Sequence, residues 1–273
     1  MKLGIINSAF DQVGMEFSEG IRHIAEIGFD TVDIQTEAWD ITTERKQEIV
    51  RVCEENNLPI VSVPVCSLGI ADFADPVRDF HVQRTNKFVD FARDIGAHNV
   101  LLVLGEYMWQ QEVIPPQMQW DWAVESTRKI GSYAANNGVE IVLELEPFKL
   151  SIVNSVEKMA RFVDDVASPA VFANIDVSHV VLAGDSPESM RLLDGKAHHV
   201  HFSDCDGKVH GDLPPGDGVI DFRPFMKVLK DMDIDGVLSI ELEYCPQPEM
   251  IVEWVRKAFT ETARLMDEVG LRS

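Results

Sequence analysis

Short runs of β-branched and other apolar residues alternate with longer amphipathic segments along the whole chain. Because valine, isoleucine and leucine dominate strands covered on both faces, the runs predict strands at residues 3–7, 31–35, 59–63, 98–104, 139–145, 171–176, 198–203 and 236–241. The segments between them place apolar residues at helical spacing, such as Ala123, Thr127, Ile130 and Ala134. This alternation predicts parallel strands joined by helical crossovers.

The number of strand–helix units indicates whether the sheet closes into a barrel or stays open. Eight units without a Gly-x-Gly-x-x-Gly turn after the first strand favour a closed (β/α)₈ TIM barrel over an open doubly wound sheet, which stays the alternative. Gly28, Gly96, Gly138 and Gly236 stand just before four of the strands, where a glycine can end the preceding helix. We therefore expect an α/β protein with one TIM-barrel domain over residues 1–273.

Composition narrows the class of protein further. The formal charge of −22 disfavours binding to a phosphate backbone, so no nucleic-acid partner is expected. No apolar run approaches the roughly 20 residues that cross a bilayer, and the first residues lack the features of a secretory signal. The four cysteines show no paired spacing. A cytoplasmic protein with reduced thiols and no membrane association is the expectation.

Metal-ligating residue types cluster at the predicted ends of the last four strands. They are Glu144 and Glu146 on the fifth strand, Asp176 on the sixth, His201 on the seventh, and Glu241 and Glu243 on the eighth. A lone acid there is as often a helix cap or an ion-pair partner. Acids from consecutive strands inside an apolar barrel need a cation, since an uncompensated buried charge costs several kcal/mol. Carboxylates with one imidazole suit Mn²⁺, Mg²⁺, Co²⁺ or Zn²⁺.

Several motifs resemble those of the xylose isomerase-like superfamily, and within it the ketose 3-epimerases and related sugar isomerases. The motifs are Gly-Val-Glu-Ile-Val-Leu-Glu at 138–144, Asp-Val-Ser-His at 176–179, His201 with Asp204, the loop 216–222, and Gly-Val-Leu-Ser-Ile-Glu at 236–241. The resemblance spans nearly the whole barrel. It implies one divalent metal ion, Mn²⁺ first among the four candidates, held by Glu144, Asp176, His201 and Glu241.

The resemblance also indicates which of two neighbouring acids binds the metal on strands five and eight. Glu144 and Glu146, like Glu241 and Glu243, are two residues apart and share one side of their strands. The spacing from the glycines that open strands five and eight in the family selects Glu144 and Glu241. Glu146 remains the alternative ligand, because Glu146-Pro147 resembles the Glu-Pro pair of xylose isomerase itself. The acid that does not bind the metal is expected to contact substrate.

Three more side chains are candidates for substrate binding. The resemblance implies that His179 contacts substrate or supports the site. His210 follows strand seven, where ketose epimerases commonly carry an arginine, so this departure leaves the sugar open. Glu106 comes just after strand four and faces the same mouth, with a solvated loop acid as the alternative.

The resemblance implies a divalent-metal-dependent isomerase or epimerase of a sugar, a sugar phosphate or a keto sugar. By resemblance, Glu144 and Glu241 would be both ligands and the acid–base pair, moving a proton through a metal-stabilised enediolate. The alternative is a metal-dependent lyase or dehydratase on keto sugars or keto glycosides, including C-glycosides. An endonuclease IV-like nuclease is disfavoured by the acidic charge, and a non-catalytic sugar-binding barrel by the complete ligand set. A small carbohydrate is the expected partner, and a homodimer or homotetramer the expected assembly.

Overall fold

Parallel hydrogen bonding joins the strands into one sheet that closes as a barrel. The computed structural model describes residues 1–234 and 236–272. Its strands are β1 (Lys2–Ile6), β2 (Thr31–Asp33), β3 (Ser62–Cys66), β4 (Asn99–Val103), β5 (Glu140–Glu144), β6 (Val171–Asp176), β7 (Ala197–Phe202) and β8 (Val237–Ile240). Their order is β2-β1-β8-β7-β6-β5-β4-β3. A Val32–Ile60 bridge closes the seam between β2 and β3, which confirms the predicted TIM barrel.

Helices cover the outside of the barrel and bury one face each against it. They are α1 (Ser8–Asp11), α2 (Phe17–Ile27), α3 (Thr43–Glu55), α4 (Asp75–Ile95), α5 (Pro116–Asn137), α6 (Val156–Val166), α7 (Val177–Leu182), α8 (Phe222–Asp231) and α9 (Ile251–Val269). The predicted stripe of α5 is buried along its length, from Ala123 to Ala134. Burial of such stripes, at about 25 cal/mol per Å² of apolar surface, is the main source of stability.

The structure differs from two predictions made from the sequence, and contacts between elements explain both differences. The third strand is regular over Ser62–Cys66, not 59–63, because its ladder with β4 begins at Ser62. The backbone of Pro59 and Val61 hydrogen-bonds instead to Val32 and to the entry of β4. Gly28, Gly96 and Gly138 end their helices in the left-handed conformation as predicted. Gly236 does not, since α8 ends earlier. A Cβ at Gly236 would lie 2.7 Å from the His198 carbonyl oxygen, so close packing explains this glycine instead.

The barrel brings the carboxyl ends of all its strands to one face, where the candidate residues lie. Register holds them level: Asp176 pairs with His201, and His201 pairs with Ser239 two residues before Glu241. The chemistry of the protein therefore depends on the geometry at this face.

No helix in the described chain combines the length and apolarity needed to cross a bilayer.

Candidate metal centre and substrate cavity

Glu144, His201 and Glu241 meet at the carboxyl face. The Nδ1 atom of His201 lies 2.9 Å from Glu241 Oε2 and 3.2 Å from Glu144 Oε2. The angles do not make hydrogen bonds, and this buried nitrogen has no hydrogen-bond partner in the described structure. Adjacent ligands of an octahedral ion at about 2.1 Å are separated by about 3 Å. The spacing therefore fits ligand atoms that converge on one cation.

Asp176, the fourth predicted ligand, lies at the end of the neighbouring strand β6. Its Oδ1 atom accepts hydrogen bonds from Ser178 Oγ at 2.8 Å and from the His179 backbone N–H at 2.9 Å, as the N-cap of α7. Its other oxygen, Oδ2, is buried with no hydrogen-bond partner in the described structure. Asp176 also forms a set with Glu144 and His179 whose potential ligand atoms all lie within 4.8 Å of one another. Glu144 is therefore common to both groups of potential ligands.

Fixed donors hold Glu144 in place. Its Oε1 atom accepts from the Leu145 N–H at 3.1 Å and its Oε2 atom from Asn174 Nδ2 at 2.7 Å. Burial alone would raise the pKa of Glu144, but the rings of His179 and His201 lower it to about 2. The carboxylate is therefore charged and preoriented, as a metal ligand must be.

Both imidazoles lie among carboxylates, which favour the protonated form of the rings. Burial disfavours a charged ring, yet Glu241 and Glu144 raise the pKa of His201 well above its usual value. Asp176 and Glu144 do the same to the pKa of His179. A cation would compensate these carboxylates and displace the proton from a ligating ring, since metal and proton compete for the same lone pair.

The predicted substrate residues lie above this centre. Glu146, His179 and His210 form a second group with potential ligand atoms within 4.8 Å of one another. His179 Nδ1 is 2.6 Å from the Leu145 carbonyl oxygen, while its Nε2 is buried without a hydrogen-bond partner in the described structure. The His210 ring lies 4.7 Å from the His179 ring. Burial raises the pKa of Glu146 to about 8, with His179 opposing the shift.

Glu106 lies on the segment that follows β4. Its backbone bridges to Ser151, and its side chain is exposed. It lines a cavity of about 340 Å³ together with Glu144 and Glu146. Glu106 is thus placed to contact a molecule bound in this cavity.

Buried groups near the centre were missing from the sequence prediction. Asp212, on the loop after β7, is buried with φ of +31°, and its Oδ2 lies 3.5 Å from His210 Nε2. Burial, with Glu241 and Asp176 nearby, raises its pKa to about 9. Asp33 and His199 form a fully buried pair at 3.0 Å beside the His201 ring. An acid inside the apolar second strand was the available signal for Asp33.

Asp204 fixes the long loop between β7 and α8. Its carboxylate accepts backbone hydrogen bonds from Cys205 and from three residues of the family-like segment, which are Gly216, Gly218 and Ile220. A Cβ at Gly218 would come within 2.2 Å of Asp204 Oδ1, so the approach requires glycine. These hydrogen bonds hold the loop that carries His210 and Asp212 over the site.

Comparisons with known proteins identify the family of this chain. The family model described as xylose isomerase-like TIM barrel matches residues 21–265. Fructoselysine 3-epimerase of Shigella flexneri is 22% identical over 98% of this chain and 99% of its own length. Inosose dehydratase of Clostridium botulinum (strain Alaska E43 / Type E3) is 23% identical over 93% of this chain and 92% of its own. A crystal structure of IOLI protein with a binding zinc atom has a TM-score of 0.86 at 18% identity, covering 98% of this chain and 99% of that one.

Proposed function

The chain belongs to the xylose isomerase-like TIM barrel family, and we propose that it is a metal-dependent isomerase or epimerase of a sugar or keto sugar. The observation that carries the proposal is that His201 Nδ1 lies 2.9 Å from Glu241 Oε2 and 3.2 Å from Glu144 Oε2 without a hydrogen bond to either. Relatives that act on sugars support the substrate class.

The four residues would hold the cation through oxygens of Glu144, Asp176 and Glu241 and a ring nitrogen of His201. A mixed set of carboxylates and one imidazole fits Mn²⁺ best, with Mg²⁺, Co²⁺ and Zn²⁺ as alternatives. A bound cation supplies Lewis-acid polarisation of a carbonyl, which makes the neighbouring C–H bond acidic. The unpartnered oxygen of Asp176 and the unpartnered nitrogen of His201 are the local evidence of fit.

Glu144 and Glu241 are the proposed acid–base pair. They come from β5 and β8, on either side of the two strands that carry Asp176 and His201. One carboxylate takes the proton from carbon and the other returns one, to the opposite face of that carbon or to its neighbour. Return to the opposite face is epimerisation, and return to the neighbour is aldose–ketose isomerisation.

A lyase or dehydratase reaction is the second candidate, and Glu146 is the observation that favours it. Expelling a hydroxyl or an aglycone needs a further proton donor at the leaving group. Glu146 lies beside His179 and His210 and lines the cavity that also reaches Glu144. Inosose dehydratases among the relatives support this second reading.

The test is turnover of free ketoses, sugar phosphates and 3-keto glycosides in D₂O with Mn²⁺ added. We expect solvent deuterium at the carbon next to the carbonyl, and the stereochemistry of the product separates epimerase, isomerase and lyase. Complete retention of the substrate hydrogen would favour a hydride shift and contradict the proposal. The dimeric or tetrameric assembly and the cytoplasmic location remain predictions.

A further inference from the structure

One side of the cavity is an apolar wall next to the carboxylates. The wall consists of Leu68, Val103, Leu104, Phe148 and Val153. Leu68 is 58% exposed and Phe148 44% exposed, although both line a concave site. Exposed apolar surface inside a cavity is stabilised when a ligand covers it.

Backbone hydrogen bonds fix the shape of this wall. The Gly105 carbonyl accepts from the Ile152 N–H at 3.0 Å, and the Tyr107 N–H donates to the Leu150 carbonyl at 2.7 Å. These bonds tie the segment after β4 to the segment after β5. A Cβ at Gly105 would lie 2.2 Å from the Leu68 carbonyl oxygen, so the turn carrying Leu68 is pressed against the end of β4. The wall is therefore formed before a ligand arrives.

The charges around the cavity oppose a phosphorylated substrate. The acidic lining residues are Glu106, Glu144 and Glu146, and the described lining contains neither lysine nor arginine. Arg84 lies behind the Cys66 carbonyl, to which it donates at 2.7 Å, and its other nitrogen binds Glu37 at 2.6 Å. Its charge is already compensated. A phosphate group here would face carboxylates without the arginine or lysine partner that such groups require.

We infer that the apolar wall is a subsite for an uncharged apolar group attached to the sugar, so the substrate is an unphosphorylated glycoside or similar conjugate. This inference rests on the proposed function only for the position of the sugar ring at Glu144. The carboxylates then contact the hydroxyl-bearing part, and Leu68 and Phe148 contact the apolar substituent.

Matched probes test the subsite. They are the methyl, phenyl and aminohexyl glycosides of one keto sugar and the 6-phosphate of the methyl glycoside. We expect kcat/KM for the phenyl glycoside to exceed that for the methyl glycoside at least tenfold, about 1.4 kcal/mol, and the phosphate to be the poorest substrate. Leu68→Ala and Phe148→Ala should lower the phenyl-to-methyl ratio toward one. Leu192→Ala changes a leucine of similar exposure, 52%, outside the cavity and should leave the ratio unchanged.

Calorimetric binding of methyl and phenyl β-D-glucoside separates this inference from the proposed reaction. If no keto glycoside turns over but the phenyl glucoside binds, and Leu68→Ala weakens it at least tenfold, the reaction is wrong and the subsite stands. Equal kcat/KM and equal affinity for methyl and phenyl probes, or preference for the phosphate, would overturn the subsite while leaving proton transfer intact. Preference for the aminohexyl glycoside would overturn it too and assign the cavity to a cation near Glu106.

Discussion

Replacing Glu144 by glutamine tests the candidate metal centre most directly. Both oxygens of Glu144 accept from fixed donors, the Leu145 N–H at 3.1 Å and Asn174 Nδ2 at 2.7 Å, and Oε2 lies 3.2 Å from His201 Nδ1. A glutamine has one oxygen, so its amide nitrogen must face one of these donors. The substitution therefore removes a negative charge from the centre and misorients the ligand that remains.

The expected effect on stability follows from mass action. A cation that binds only the native state stabilises it by RT ln(1 + [L]/Kd), about 2.7 kcal/mol at roughly 100 times Kd. In a chain of this size about 1 kcal/mol shifts the unfolding midpoint by about 2–4 °C, so saturating Mn²⁺ should raise it by about 5–10 °C. An affinity loss of about 100-fold leaves about 0.4 kcal/mol at the same concentration, a shift of about 1 °C.

The assay is thermal unfolding of metal-stripped protein, followed by circular dichroism, with and without each of Mn²⁺, Mg²⁺, Co²⁺ and Zn²⁺. Glu140→Gln is the matched control, because Glu140 lies on the same strand but pairs with His198 at 2.9 Å and His98 at 3.3 Å near the opposite end of the barrel. It should keep the whole metal-dependent shift. A wild-type protein that no cation stabilises, or a Glu144→Gln variant stabilised as much as wild type, would refute the reasoning.

Four further substitutions test neighbouring parts of the site. Glu146→Gln and Glu243→Gln should lower turnover but keep most of the metal-dependent shift, and loss of that shift in either would move the ligand set toward the mouth. Asp204→Ala removes the acceptor of four backbone N–H groups. Denaturant unfolding should therefore show a free energy of unfolding lower by about 1.5–3 kcal/mol. Unchanged stability together with unchanged protease resistance of the loop would contradict this prediction. Asp33→Asn weakens the buried pair with His199, whose ring packs against the ring of His201, and should lower metal affinity. Wild-type affinity measured by metal titration would exclude a supporting role.

The sequence determined the barrel and the face that carries the site. Apolar runs at regular intervals suffice for eight parallel strands, because each run must be buried on both sides. Closure then places the carboxyl end of every strand at one face, whatever side chains stand there. For this reason the acids and the histidine at the ends of the last four strands could be expected together before any distance was known. The choice of Glu144 and Glu241 over Glu146 and Glu243 came from the family resemblance.

Only the tertiary structure decided how deep each acid lies. Glu144 and Glu146 share strand parity, and from the residues alone either could face the imidazole. β5 ends at Glu144, whose carboxylate lies 3.2 Å from His201 Nδ1, whereas Glu146 follows the strand and groups with His179 and His210. A two-residue repeat fixes the side of a strand but not the point at which the chain leaves it.

Contacts between distant segments were likewise invisible in the sequence. The Asp33–His199 pair joins β2 to β7, and Asp212 reaches the site through a loop folded around Asp204. The apolar wall combines turns after three strands and depends on the close contact between Gly105 and the Leu68 carbonyl. Periodicity records only which face of its own element a residue occupies, whereas these arrangements depend on packing between elements, which only the closed barrel fixes.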